Sequence, residues 1–297
     1  MADQAEKLRV LSKEALVTKN KDIDAEKSTL AHVIAITSGK GGVGKSTFTV
    51  NLALALANYG KKVLIIDADL GMANIDVMMG CLAKYSMVDV IEGKLAFDEV
   101  VVTGPRNIKL LPGGSGIKAL PSLSSIELQR IVNQSMQYEK NTDFILFDTG
   151  AGMSETVLSF LLAADDVFIV TTPEPTSLTD AYSIVKAYCS NCGQSVVPLR
   201  LVINRTSNAD ESNLVSEKLC KVTSKFLQVG IEKLGYILED SAVTNSIRSQ
   251  NPLMLQFPDS PAAACIERIA HKLIHGSEKV EKNGFSGFFK KFLNIYK

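Results

Sequence analysis

Residues 33–47 read Val-Ile-Ala-Ile-Thr-Ser-Gly-Lys-Gly-Gly-Val-Gly-Lys-Ser-Thr, and no other stretch restricts the fold so tightly. The apolar, β-branched run from Val33 to Thr37 predicts a strand and the glycine cluster a loop; helix-forming sequence starts at Ser46 and runs through Leu52 to Ala57. Gly39-x4-Gly44-Lys45-Ser46 at the junction has the spacing of a phosphate-binding P-loop. Its glycines let consecutive backbone N–H groups turn toward phosphate oxygens, and the helix N-terminus adds the positive end of its dipole. The cradle is expected from Gly39, Lys40, Gly41, Gly42, Val43, Gly44, Lys45, Ser46 and Thr47. Lys45 is placed to reach the β- and γ-phosphates and the Ser46 hydroxyl to ligate Mg²⁺. A chance match in a chain this long is on the order of one in a hundred, and the flanking strand and helix lower that further.

The rest of the core alternates apolar runs with helical periodicity. Strands are expected at 33–37, 63–66, 108–111, 143–147, 166–171, 197–203 and 235–238, with periodic segments at 46–59, 122–138, 153–163, 176–191 and 210–229. This predicts an α/β P-loop NTPase: a mostly parallel twisted sheet, covered by helices on both faces, with ligands at the carboxyl ends of its strands. Three carboxylates fall at such ends. Val63–Ile66 leads into Asp67-Ala68-Asp69, and Phe144–Phe147 leads into Asp148-Thr149-Gly150-Ala151-Gly152. Acids there, beside a P-loop, are placed to act on Mg²⁺ and water, with Asp67 and Asp148 next to the metal. Gly150 and Gly152 leave the backbone free to follow the γ-phosphate.

Bulk properties exclude several classes. With 32 basic and 32 acidic residues the net charge is zero, so nothing global argues for nucleic acid. The N-terminus lacks the apolar core of a signal peptide, and no apolar run reaches the ~18 residues of a spanning helix. Five cysteines without secretory context suggest a reduced, cytosolic protein. Cys189 and Cys192 have metal-ligand spacing but no second pair to complete four ligands, so a metal site and simple packing both stay open.

Two polar linkers, 18–31 and 276–284, separate the core (32–275) from short ends. Residues 2–17 look helical and form an N-terminal segment, 1–17, suited to docking a partner. In the tail, 285–297, Phe285, Phe288, Phe289, Phe292, Leu293 and Tyr296 fall within roughly 140° of helical arc, with Lys290, Lys291, Asn294 and Lys297 on the other side. That pattern fits an amphipathic helix on an anionic membrane surface; docking on its own domain or on a second copy satisfies it too.

Gly39-Lys40-Gly41-Gly42-Val43-Gly44-Lys45-Ser46 resembles the deviant Walker A motif of the MinD/ParA ATPases. The resemblance implies that Lys40 reaches across an ATP-sandwiched homodimer to the partner's phosphates, and that Asp69 orients the attacking water. It further implies that Asn204, with Arg205 beside it, contacts adenine. Lys40, Lys45 and Asp69 are thus the expected catalytic residues, and ATP and Mg²⁺ the cofactors. At the N-terminus, Asp3-Gln4-Ala5-x-x-Leu8-Arg9 resembles the docking motif of the FlhG (FleN) branch, MinD-like ATPases governing flagellar number. That likeness implies a cytoplasmic protein bound peripherally to the inner membrane when ATP-bound. Its implied partners are an FlhF-like GTPase stimulated through Asp3, Gln4, Ala5, Leu8 and Arg9, and a flagellar transcriptional regulator and switch-complex proteins, with no direct nucleic-acid contact. The other readings are a MinD-type division-site ATPase, a ParA-like DNA-partitioning ATPase, and an iron–sulfur carrier resting on Cys189 and Cys192.

Overall fold

The computed structural model describes residues 30–69, 74–113, 125–193, 196–276 and 280–295. Eight strands form one sheet: β1 (His32–Ser38), β2 (Val63–Ala68), β3 (Val102–Thr103), β4 (Lys109–Pro112), β5 (Phe144–Ala151), β6 (Asp166–Thr171), β7 (Leu199–Thr206) and β8 (Glu232–Leu238). Their spatial order is β3-β4-β2-β5-β1-β6-β7-β8. Only the short edge pair β3·β4 is antiparallel. β1, β2 and β6 are buried at every position, which is why they read as continuous apolar runs rather than alternating ones.

The helices are α1 (Lys45–Asn58), α2 (Ile75–Met78), α3 (Met87–Ile91), α4 (Phe97–Val100), α5 (Ser125–Glu139), α6 (Glu155–Ala163), α7 (Pro175–Asn191), α8 (Ala209–Leu227), α9 (Ser241–Arg248), α10 (Leu253–Gln256), α11 (Pro261–His275) and α12 (Gly284–Ile295). Side chains alternate across the sheet. Ile34 and Ile36 join the core under α1 and α11, whereas Val33 and Ala35 join the core under α5, α6, α7, α8 and α12. The strong P-loop helix α1 carries buried residues from Phe48 through Leu56 without a polar stripe, because α11 covers the side away from the sheet. The periodicity named no element within 241–275, where α9, α10 and α11 lie. It also missed β3, which is too short to show a period.

The tail helix is part of the core. Phe285, Phe288, Phe289 and Phe292 are at most 1% exposed, Leu293 packs on the same cluster, and α12 lies against α5 and α6. Phe288 stacks on Phe147 with ring centroids 4.2 Å apart, and Phe292 sits 4.9 Å from Phe160. Tyr296, Asp3, Gln4, Ala5, Leu8, Arg9 and most of the 18–31 linker fall outside the described residues.

Candidate nucleotide site

Sheet register assembles the site. Asp148 pairs laterally with Asp67 of β2 and with Ile36 of β1, so the loop leaving β1 emerges beside both acids. In that loop Gly42 and Gly44 adopt φ of 79° and 95°, a region that L side chains rarely enter. A methyl at Gly44 would run into the Asn204 amide, and one at Gly39 into the Asp180 backbone; Gly41 and Gly42 face open space. The loop is therefore held from outside and empty within, as a phosphate cradle requires.

Asp148 is the hub. Ser46 Oγ donates to its Oδ2 at 2.6 Å, Thr49 Oγ1 donates to its Oδ1 at 2.8 Å, and Lys45 Nζ lies 3.0 Å from Oδ1 in a buried ion pair. Asp67 accepts backbone N–H bonds from Asp69 at 3.1 Å and Ile75 at 3.4 Å. Burial, and then the Asp148 charge, push the Asp67 carboxyl up to about 7. Two carboxylates and a serine hydroxyl converging in a dry spot fit a divalent cation, whose charge would relieve the repulsion between the acids. Ser46, Asp67 and Asp148 would hold it, and when bound it would neutralise developing phosphate charge. Half-buried Asp69 faces the carboxyl end of β5, its carboxylate 3.6 Å from where a methyl on Gly150 would stand.

Asn204 and Arg205 brace the cradle. The Asn204 amide donates to the Val43 carbonyl at 2.7 Å, and Arg205 Nη2 donates to the Gly42 carbonyl at 3.0 Å. Arg205 takes a φ of 58° at the bend that brings both side chains back to the loop. Both also line a cavity of about 320 Å³ with Thr47, Leu238, Val243 and Ile247, a size and lining that suit a nucleobase.

Lys40 points elsewhere. Its Nζ pairs with Glu174 Oε2 at 2.8 Å and donates to Thr176 Oγ1 at 3.2 Å, an exposed contact at the start of α7. Glu174, Thr176 and Thr49 escaped the sequence reading. Glu174 follows β6 at its carboxyl end, so the strand-end rule that found Asp67 and Asp148 applied to it as well. Cys189 and Cys192 close the far end of α7, partly buried on the core, with Cys192 Sγ 3.5 Å from the Cys189 carbonyl. Among the described residues no group of three His, Cys, Asp or Glu side chains is arranged to hold a metal.

A family model described as "ParA: NUBPL iron-transfer P-loop NTPase" matches residues 29–274. The chain belongs to the MinD/ParA family. It is 36% identical over 257 residues to "Antiactivator FleN" of Pseudomonas aeruginosa, covering 86% of this chain and 91% of that one. Against "Flagellum site-determining protein YlxH" of Helicobacter pylori it is 35% identical over 266 residues, 88% and 89% of the two chains. Among solved structures, the Aquifex aeolicus MinC:MinD cell division complex superposes with a TM-score of 0.65 at 29% identity, covering 86% of this chain and all of that one. The chain is accordingly a P-loop ATPase of this family, similar in sequence to these FleN and YlxH proteins. Among the described residues no helix is long and apolar enough to cross a membrane.

Proposed function

We propose that the protein is an ATP-driven switch that sets flagellar number or placement by cycling between a free monomer and a membrane-bound, ATP-sandwiched dimer. One contact carries this reading: Phe147, which stacks on the tail residue Phe288, immediately precedes Asp148, the hub of the cation corner. Lys45 and Ser46, now engaged with Asp148, are the donors that phosphates and a cation would take, so loading of the site would draw them off Asp148. A shift at Asp148 is felt one residue away by the ring on which the tail rests. Release would then expose Phe285, Phe288, Phe289, Phe292 and Leu293 to an anionic inner-membrane surface, with Lys290 and Lys291 facing its headgroups. Each short helix binds weakly; two on one dimer act together through effective concentration.

In the cycle Lys40 leaves Glu174 to reach the second copy's phosphates, and Asp69 positions the attacking water. Similarity to FleN and YlxH supports the flagellar branch, and the Asp3–Arg9 motif supports an FlhF-like GTPase as the partner stimulated by the N-terminal segment; the antiactivator relative supports a transcriptional regulator as another. Sedimentation of the Asp69→Ala protein with ATP or ADP, against anionic liposomes and duplex DNA, tests the switch. ATP-dependent liposome capture that needs residues 285–297 is expected; DNA capture indifferent to the tail would replace this reading with a partitioning one. Gln4→Ala should keep its ATPase activity and lose GTPase stimulation; unchanged stimulation would remove the partner assignment.

A further inference from the structure

Two buried carboxylates sit where the chain's two appendages leave the core, and the nucleotide site uses neither. Glu139, at the end of α5, is 6% exposed and Asp165, just before β6, is 2% exposed. Glu139 Oε1 accepts the N–H of Phe285 at 2.8 Å and of Ala31 at 3.3 Å, while Oε2 accepts the N–H of Ser286 at 3.5 Å. Asp165 Oδ1 accepts the backbone N–H of Asn283 at 2.9 Å and its side-chain amide at 2.8 Å, and Oδ2 accepts the N–H of Val33 at 3.1 Å. Each acid therefore bridges the chain at the entry to β1 (Ala31 or Val33) and the chain at the entry to α12 (Asn283 or Phe285 and Ser286). Between the two anchor points lies Gly284, with φ of 70°, where a methyl would occupy the space of the Glu139 carboxylate.

We infer that Glu139 and Asp165 form a paired clamp through which the start of β1 and the tail helix are loosened together. Ala31 ends the 18–31 linker, so tension on the chain before β1 draws Ala31 away from Glu139, and the same oxygen then loses part of its grip on Phe285. Loss of the tail, in the other direction, leaves Glu139 and Asp165 open to water and loosens the amides of Ala31 and Val33. A partner held by the N-terminal segment would thereby promote release of the tail without touching the nucleotide. The membrane consequence rests on the reading given above; the coupling itself does not.

Hydrogen exchange followed by mass spectrometry on the full chain tests the clamp with no membrane present. Gly284→Ala keeps both acids in the sequence but displaces the Glu139 carboxylate. It is expected to speed exchange at least tenfold in peptides covering 285–292 and, in the same sample, at Ala31–Val33, with α1 unchanged. Glu139→Ala, which removes the acceptor from the other side, is expected to do the same, and serves if the glycine variant does not fold. Faster exchange in the tail with no change at Ala31–Val33 would overturn the coupling, and no change in either would overturn the clamp. Vesicles of phosphatidylglycerol and phosphatidylethanolamine separate the two readings. Faster exchange together with nucleotide-free capture supports both, whereas faster exchange without capture keeps the clamp and sinks the membrane reading.

Discussion

Docking of the tail can be perturbed from either side, and the two perturbations should have unequal effects on membrane capture. Phe160 on α6 has three phenylalanine neighbours: Phe147 in the sheet at 5.3 Å, and the tail residues Phe292 at 4.9 Å and Phe288 at 6.0 Å. Phe160→Ala in such a core costs about 3–5 kcal/mol. Two of the three ring contacts belong to the tail, so roughly 2 kcal/mol of that loss falls on docking rather than on the sheet, a shift of about thirtyfold toward the released helix. The released helix keeps its own phenylalanines. Phe288→Ala frees the tail to a similar degree but removes one ring from the lipid face, worth about 1.5–3 kcal/mol of apolar burial. Co-sedimentation with anionic vesicles in the absence of nucleotide reads the difference. Phe160→Ala should raise capture well above wild type, and Phe288→Ala should fall clearly short of it. A well-folded Phe160→Ala protein with no gain in capture would refute the reasoning. Equal gains from both variants would also refute it, since membrane contact would then not involve the phenylalanine face.

Three further outcomes follow from the site and the core. Lys45→Ala leaves Asp148 buried without its cation and should lower the nucleotide-free stability by about 3 kcal/mol, on the order of 5–10 °C in Tm by scanning fluorimetry; an unchanged Tm would mean the ion pair carries no weight. Lys40→Ala removes only an exposed pair and should move the Tm by no more than about 1–2 °C, yet abolish ATP-dependent dimerisation in light scattering. His32, lowered to about 3 chiefly by burial, should show no ring titration between pH 5 and 8 by NMR. Its folded value lies below the unfolded 6.5, so the stability it contributes is full above that pH and is lost as the pH falls toward 3. Asp166, 3.7 Å away and raised to about 7 by burial, acts in the opposite sense, which is why the His32 resonance is a cleaner test than a melting curve.

What could be read from the sequence was whatever a local backbone demand or a periodicity imposes. Gly42 and Gly44 must be glycine because of their positive φ, and the spacing to Lys45 and Ser46 then follows from loop geometry. Asp67 and Asp148 were legible because strands buried on both faces announce themselves, and an acid that interrupts such an apolar run toward its carboxyl end marks the ligand edge. Glu174 obeys the same rule but was hidden behind a proline-containing loop. Glu139 and Asp165 had no local signal at all. An acid at a helix end reads as solvated, and only the approach of Gly284, some 145 residues on, turns Glu139 into a bridge. The tail shows the limit most clearly. Its four phenylalanines on one arc state that a face must be covered, and lipid and core satisfy that demand equally.

That ambiguity is what a switch needs. A helix whose apolar face suits two surfaces can be moved by any effect that changes their relative cost, and the docked state here carries a built-in cost. Burial raises both Glu139 and Asp165 above the usual carboxylate range, the hydrogen bonds from Ala31, Phe285, Ser286, Val33 and Asn283 offsetting only part of it. The acids position the helix by accepting its leading amides, while the cost of burying their charge offsets part of what those hydrogen bonds and the phenylalanines contribute. Coupling to the nucleotide then requires little motion. Phe147 and Asp148 are successive residues of one strand, so a displacement that carries Asp148 toward the arriving cation carries Phe147 with it, and the stack on Phe288 at 4.2 Å has no slack to absorb the change.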